Sequence, residues 1–236
     1  MKKISILKFF TANAEQSKAL EAKLIEFRKQ LKQITTDDSE SESEIETLQN
    51  EIDRAQKEAD ALRTVQLKTI STAGFKSLPH IKLTSMSAKQ EFEQRKALIL
   101  LCADITEAKF NTLHAPDFIQ LYEDIVDIIL KPSDELKGEK LSGSSFEFDL
   151  LEPFENEAGE KFTRIKFQVP KVAHSQALAD IEDDEEREDF MFRVVTGLQK
   201  EDFKYLSLND YLALKPQVGA FFQQSAGFFR PITWKA

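Results

Sequence analysis

Two aspartates are the residues best placed to do acid–base chemistry. Asp117 and Asp210 occupy matching positions in two helical stretches that align at a constant offset of 93 residues. Two carboxylates that share a site can act as acid and base when their environments separate their pKa values. Each aspartate also lies where a helix is predicted to begin, after Pro116 and Asn209, and negative charge there suits the helix dipole. The sequence favours this helix-start role, so we predict no catalytic residue.

Residues that bind metals or attack substrates are too few and too scattered to form a site. His80, His114 and His174 are the only histidines, and none lies at ligand spacing from another or from Cys102. Zinc sites and redox motifs need such residues within a few positions of each other. The glycines occur singly, so no phosphate-binding loop is predicted. We therefore expect no metal, no cofactor and no enzymatic activity. Cys102 follows four apolar residues and is predicted to be a buried, inert thiol.

The composition indicates that the partner is another protein. The 236 residues carry a formal net charge of −9, and Lys and Arg are not clustered. Nucleic acids and anionic membranes attract clustered positive charge, so neither is expected as a partner. No apolar run approaches the roughly 20 residues that cross a bilayer. The single cysteine excludes an intrachain disulfide and favours a reducing compartment, so we expect an acidic, cytoplasmic protein.

The N-terminal quarter predicts a strand followed by a helical hairpin. Within residues 12–63, apolar residues recur at helical spacing in two narrow stripes, which a polar segment over 35–42 separates. The stripes are Leu20, Leu24, Phe27, Leu31 and Ile34, and then Ile45, Leu48, Ile52, Ala55, Ala59 and Leu62. Two such stripes predict a short antiparallel coiled coil, which could also serve as an oligomerisation element.

Two stretches of alternating apolar and polar residues predict two β-hairpins. The first has strands at 64–70 and 80–84, and the second has strands at 146–150 and 162–169. Helical stretches follow each hairpin, and their apolar positions match at the offset of 93 residues. This order predicts an internal duplication. Residues 131–145 contain Pro132, Gly138 and Gly143, and they are predicted to be a linker.

The fold is therefore predicted to be α+β and mainly helical, with an N-terminal helical hairpin and two similar modules of a β-hairpin plus helices. The predicted boundaries are 1–63 for the N-terminal strand and helical hairpin, 64–130 for the first module and 131–145 for the linker. The second module, with an aromatic C-terminal tail, covers 146–236.

The second module carries short motifs in a fixed order. They are Phe148-Asp149-Leu150-Leu151-Glu152-Pro153, Ile165-Lys166-Phe167-Gln168-Val169-Pro170, Thr196-Gly197-Leu198, Phe203-x-x-Leu206 and Asp210-Tyr211-x-x-Leu214. In these motifs and their order, residues 146–222 resemble the tail assembly chaperones of Mu-type and related phages. The N-terminal helical hairpin is not part of the usual short chain of that family. The chain is therefore expected to be an enlarged, duplicated variant.

The resemblance implies a non-catalytic chaperone that works in the cytoplasm of a bacterial host. It would bind the aggregation-prone tape measure protein while the tail tube assembles. Contacts with the tape measure or tail tube protein are predicted at exposed members of a set of aromatic residues: Phe110, Phe118, Phe203, Tyr211, Phe228, Phe229 and Trp234. The alternative is a coiled-coil adaptor or structural subunit that oligomerises through residues 12–63.

Overall fold

The computed structural model describes residues 3–34 and 42–230. The elements follow in the order β1 (Lys3–Ile6), α1 (Ala14–Ile34), α2 (Glu42–Leu62), β2 (Thr64–Leu67), α3 (Thr72–Lys76), α4 (Ala88–Cys102), α5 (Glu107–Phe110), α6 (Ala115–Ile129), α7 (Ser133–Lys137), β3 (Glu147–Glu155), β4 (Lys161–Lys166), α8 (Val172–Ala179), α9 (Asp184–Thr196), a 3-10 helix (Lys200–Tyr205) and α10 (Leu208–Gln223). Helices outweigh two small antiparallel sheets in this part of the chain, which confirms the predicted fold class. None of the described helices is long and apolar enough to cross a membrane.

Contacts divide the chain into two units, and the smaller one contains residues 3–67 and 103–124. In this unit β1 and β2 pair antiparallel, with Ser5 opposite Val65. The helices α1 and α2 lie between the two strands in the chain. They pack on each other, so that the two predicted apolar stripes face one another, and the residues buried between them are Leu20, Leu24, Ala55 and Ala59.

The partner of β2 differs from the prediction. The hairpin predicted over 64–84 is wrong, because β2 pairs with β1 and the predicted connection forms α3 instead. Ser71 caps α3 by accepting the backbone N–H of Gly74 at 3.1 Å. Such local capping competes with strand formation. Leu83, which belongs to the second predicted strand of this hairpin, is exposed. Period-2 alternation indicates which face of a strand is buried, but it does not identify the neighbouring strand.

The larger unit contains residues 68–102 and 125–230. Its β3 and β4 form the second predicted hairpin, with Phe148 opposite Ile165. The inward face of this hairpin packs with α9 and α10 in one core, whose buried members are Phe148, Leu150, Ile165, Phe167, Phe192, Val195, Leu198, Leu206, Ala213, Leu214, Val218 and Phe221. Gly197 ends α9 with a φ of 75°, a left-handed conformation that favours glycine.

Residues 131–145 form a packed segment, so the linker prediction is wrong. Asp134 is buried in α7, and its Oδ2 accepts the backbone N–H of Leu141 at 3.0 Å. The side chain of Gln217 in α10 donates to the carbonyl oxygens of Ser142 and Ser145 at 3.2 and 3.0 Å. Proline and glycine do produce turns here. The segment nevertheless packs against α10, because the side chains of Asp134 and Gln217 form hydrogen bonds with its backbone N–H and C=O groups.

Candidate functional site

An apolar groove lies between α10 and the segment formed by residues 132–143. From α10 it is lined by Leu212, Pro216 and Ala220, which recur every four residues and so share one face of the helix. Leu141 lines it from the facing segment, and its volume is about 520 Å³. A concave apolar site of this size accommodates several side chains of another molecule. The groove is therefore our candidate functional site.

Polar residues also line the groove. Asp134 and Gln217 line it while they hold the segment in place through the hydrogen bonds described above. Glu135 and Lys140 also line it, and both are exposed. A groove lined by apolar residues together with exposed residues of both charges suits an amphipathic helix, which can place its apolar stripe in the groove and its polar side chains in contact with the charged residues.

Phe228 and Phe229 pack beside the groove. Phe229 stacks on Phe221 of α10 with 4.7 Å between ring centroids, and Phe228 meets Phe229 edge-on at 5.2 Å. Gly143 permits a close approach of the chain here, because an added Cβ would lie 2.2 Å from the carbonyl oxygen of Phe228. Phe228 lines the groove and is still 46% exposed. Its ring is thus available to a partner that enters the groove.

Asp210 attaches α10 to the hairpin on which it packs. Its Oδ1 accepts the backbone N–H of Leu151 at 2.8 Å, and its Oδ2 accepts that of Glu152 at 3.2 Å. Both donors lie where the register between β3 and β4 is interrupted. Ser207 adds a third hydrogen bond at 2.6 Å, and Asp210 is fully buried. The carboxylate therefore satisfies strand N–H groups at an irregular point of the sheet and orients the helix that lines the groove.

Other residues that could do chemistry also have structural partners. Asp117, in the smaller unit, accepts the backbone N–H groups of Lys8 and Phe9 at 2.9 and 3.0 Å. In the larger unit, Nε2 of His80 lies 2.9 Å from Oε2 of Glu93, and this hydrogen bond lowers the pKa of Glu93. Over residues 3–34 and 42–230, no three His, Cys, Asp or Glu side chains are grouped so as to hold a metal ion.

The aromatic residues predicted to contact a partner are placed differently from one another. In the smaller unit, Phe110 is 6% exposed and meets Phe118 edge-on at 5.9 Å between ring centroids. In the larger unit, Phe203 and Tyr211 both pack against the core residue Phe192. These four rings contribute chiefly to packing within the chain.

Of the predicted contact residues that the structure describes, Phe228 lines the groove, and Phe229 packs beside it on Phe221. Trp234 lies outside the described residues. Leu141, Leu212 and the other apolar residues that line the groove were not among the predicted contact residues. On α10 these residues recur every four positions, on a different face from the core residues. This pattern is a weak indication of a binding surface, because Pro216 and Ala220 have small side chains.

Cys102 provides a test of burial in the larger unit. The thiol is fully buried, and burial raises its pKa from 9.0 to about 11. The folded protein thus favours the neutral thiol, whereas the thiolate is the reactive form. We expect a water-soluble disulfide reagent at about pH 8 to leave the native protein unmodified and to label it fully in urea. Rapid labelling of the native protein would contradict this placement.

The same pKa shift predicts a loss of stability in alkali. Because the thiol ionises at lower pH in the unfolded chain, its contribution to stability is complete below pH 9.0 and is lost as the pH rises through about 11. Replacing Cys102 with alanine should remove this part of the pH dependence. Unfolding measured in urea across that pH range, for both proteins, provides the comparison. Identical slopes would contradict the prediction.

Comparison with known proteins supports the resemblance inferred from the motifs. Residues 147–223 match the family model described as phage tail assembly chaperone proteins, E, or 41 or 14. The matched span begins at β3 and ends with α10, so it includes the hairpin, Asp210 and the helix that lines the groove. No curated protein and no solved structure matched the chain.

Proposed function

We propose that this chain, which resembles phage tail assembly chaperones over residues 147–223, binds the tape measure protein and shields it until the tail tube surrounds it. The family match carries the proposal. The groove supports it, because the helix that supplies Leu212, Pro216 and Ala220 lies inside the matched span. A tape measure protein is long and helical, so it can offer amphipathic helices to such a groove.

The proposed mechanism is the burial of an apolar surface without any covalent step. The client inserts the apolar stripe of a helix into the groove, between α10 and Leu141, and Phe228 packs against the inserted side chains. Each large apolar side chain that leaves water contributes about 1.5–3 kcal/mol, so a few contacts suffice for reversible binding. Assembly of the tube then competes for the same stripe and releases the chaperone. No cofactor and no catalytic residue is required.

Phe228, Phe229 and Trp234 are the proposed aromatic contacts at this site. Phe228 lines the groove, Phe229 is in contact with Phe228, and Trp234 follows them closely in the sequence. Phe203, Tyr211, Phe110 and Phe118 take a supporting role in this proposal, since each has an aromatic partner within its own unit. The net charge of −9 gives no attraction for nucleic acid or anionic membranes. We place the activity in the bacterial cytoplasm, where tails assemble.

Co-expression tests the proposed function. The chain is produced together with the tape measure protein of the same phage, and the tape measure protein is assayed in the supernatant after centrifugation. We expect it to remain in the supernatant and to co-purify with the chain. An unrelated acidic protein of similar size, expressed in the same way, is the control. If the tape measure protein sediments equally in both cases, the proposed client is wrong.

The adaptor alternative has less support. It requires oligomerisation through residues 12–63, yet the apolar residues Leu20, Leu24, Ala55 and Ala59 are already buried between α1 and α2 of one chain. Light scattering on the full chain and on a chain without residues 12–63 distinguishes the two. The adaptor predicts that only the full chain forms oligomers, whereas the chaperone predicts that the shortened chain still binds the client.

A further inference from the structure

Two buried aspartates make the same unusual contact. Asp117 is the third residue of α6 and accepts the successive backbone N–H groups of Lys8 and Phe9. Asp210 is the third residue of α10 and accepts those of Leu151 and Glu152. Both carboxylates are buried, with 2% and 0% of the residue exposed. In each case the donors follow the paired part of the first strand of an antiparallel pair.

The strands also correspond when the two aspartate contacts are superposed. The donors Lys8 and Phe9 then match Leu151 and Glu152, so that Ser5 and Leu7 match Phe148 and Leu150. All four of the matched inward residues are buried, and the residues between them face outward. Ser5 pairs with Val65 in the first sheet, and Phe148 pairs with Ile165 in the second.

The same hydrogen bond also joins the end of each second strand to the C-terminal end of a helix. The backbone N–H of Lys68, just after β2, donates to the carbonyl oxygen of Cys102 at the end of α4, at 2.8 Å. The N–H of Gln168, just after β4, donates to the carbonyl oxygen of Val195 in the last turn of α9, at 2.7 Å. In the register set by the strand pairs, Lys68 and Gln168 are equivalent, because each comes three residues after Val65 or Ile165.

The helices complete the correspondence at the offset of 93 residues. This offset matches α4 with α9, α5 with the 3-10 helix, and α6 with α10. Buried residues coincide in these pairs: Ile99 with Phe192, Cys102 with Val195, Leu121 with Leu214, and Ile125 with Val218. Any two amphipathic helices share a period. A shared period does not explain why two helix groups that bind strand N–H groups, the aspartate and the carbonyl oxygen of Cys102 or Val195, recur at the same offset.

We infer that residues 3–12, 62–68 and 88–129 are a second copy of the tail-chaperone module in the sequence, and that an inserted arm, residues 13–61, interrupts this copy between its two strands. Every contact used in this comparison lies inside one of the two units. The module's name rests on the proposed function, whereas the equivalence of the contacts does not. The inference also revises the predicted duplication, because the first strand of the first copy is β1 and not a segment of residues 64–84.

The ends of the arm are suited to an insertion. The backbone N–H of Leu7 donates to the carbonyl oxygen of Arg63 at 3.0 Å, and that of Ala12 donates to the carbonyl oxygen of Leu62 at 2.8 Å. In the second copy the corresponding strands are joined directly by a short turn around Asn156. Insertions whose ends lie side by side are tolerated, because the strands on both sides can pair without them.

The residues that line the groove from α10 are not matched in the first copy. At the offset of 93 residues, the helix positions of Leu212, Pro216 and Ala220 correspond to Ile119, Glu123 and Asp127 of α6. Two acidic residues thus replace apolar ones, and a charged floor opposes burial of an apolar client. The two copies therefore differ in role: the second supplies the client groove, and the first carries the inserted arm.

Excision of the arm tests the inference. Residues 13–61 are replaced by Asn-Gly, which favours a two-residue hairpin turn between Ala12 and Leu62. Hydrogen exchange is then measured at the backbone N–H groups of Lys8, Phe9, Leu151 and Glu152. We expect all four to stay protected to within about three-fold of the full chain, because an intact module does not need its insertion. Loss of protection at Lys8 and Phe9, with Leu151 and Glu152 unchanged, would overturn the inference.

Two matched variants keep the inference testable if the excised chain does not fold. In the full chain, Asp117→Asn should accelerate exchange at Lys8 and Phe9 by at least about ten-fold and leave Leu151 and Glu152 protected, while Asp210→Asn should do the reverse. If the two aspartate contacts are equivalent, each variant accelerates exchange only at its own pair of N–H groups. Acceleration in only one of the two variants would show that the contacts are not equivalent. None of these exchange measurements involves the client, whose binding to the excised chain is assayed separately by co-purification. If the excised chain keeps all four protected and loses the tape measure protein, the groove proposal fails and the duplication stands.

Discussion

Replacing Asp210 with alanine should lower the free energy of unfolding by about 3–5 kcal/mol. The substitution removes the acceptor of the N–H groups of Leu151 and Glu152 and also that of the hydroxyl of Ser207. These donors lie in a part-buried or buried setting, where water replaces the lost carboxylate incompletely. Hydrogen bonds to a charged acceptor are among the stronger ones in proteins, so the loss of all three should be severe. Urea denaturation followed by circular dichroism measures the change.

The control for this prediction is Asp184→Ala. Asp184 also lies in the first turn of a helix, α9, but it is exposed. Its removal costs only the interaction with the helix dipole, about 0.3–1 kcal/mol. The comparison therefore separates the strand contact of Asp210 from the general benefit of an acidic residue at a helix start. If the free energies of unfolding of the two variants differ by less than about 1 kcal/mol, the strand contact of Asp210 is not a major source of stability.

Replacing Leu212 with glutamate should weaken binding of the tape measure protein by at least about ten-fold, which corresponds to about 1.4 kcal/mol. Leu212 is half-buried in the wall of the groove that α10 supplies. A carboxylate at this position must lose water when an apolar helix enters, and the apolar contact of the leucine is lost as well. The affinity for an immobilised client, measured by surface plasmon resonance, gives the ratio directly.

Val172→Glu is the matched control for the groove variant. Val172 lies at the start of α8, is 87% exposed and does not line the groove. The same charge is therefore added to the same unit at a different surface. We expect its affinity to equal that of the unchanged chain, and thermal unfolding of both variants verifies that they are folded. Equal affinities for the two variants would show that the client binds elsewhere.

The sequence was informative where structure depends on neighbours along the chain. The apolar stripes of residues 12–63 predicted α1 and α2, because the period of a helix can be read from residues that are close to each other in the sequence. The hairpin of β3 and β4 was predictable for a similar reason, since its strands are separated by a short turn around Gly159. The motif order from Phe148 to Leu214 indicated the family, and the family match over 147–223 supports that reading.

The tertiary structure decided what depends on distant residues. The pairing of β1 with β2 across the arm could not be read from alternation, because a strand pattern specifies a buried face and leaves the partner open. The strand contacts of Asp117 and Asp210 were hidden for a related reason: a carboxylate at a helix start looks the same in sequence whether it faces solvent or distant N–H groups. The groove required both α10 and the packed segment at 132–143, and the turn residues of that segment resemble those of a linker until their hydrogen bonds are seen.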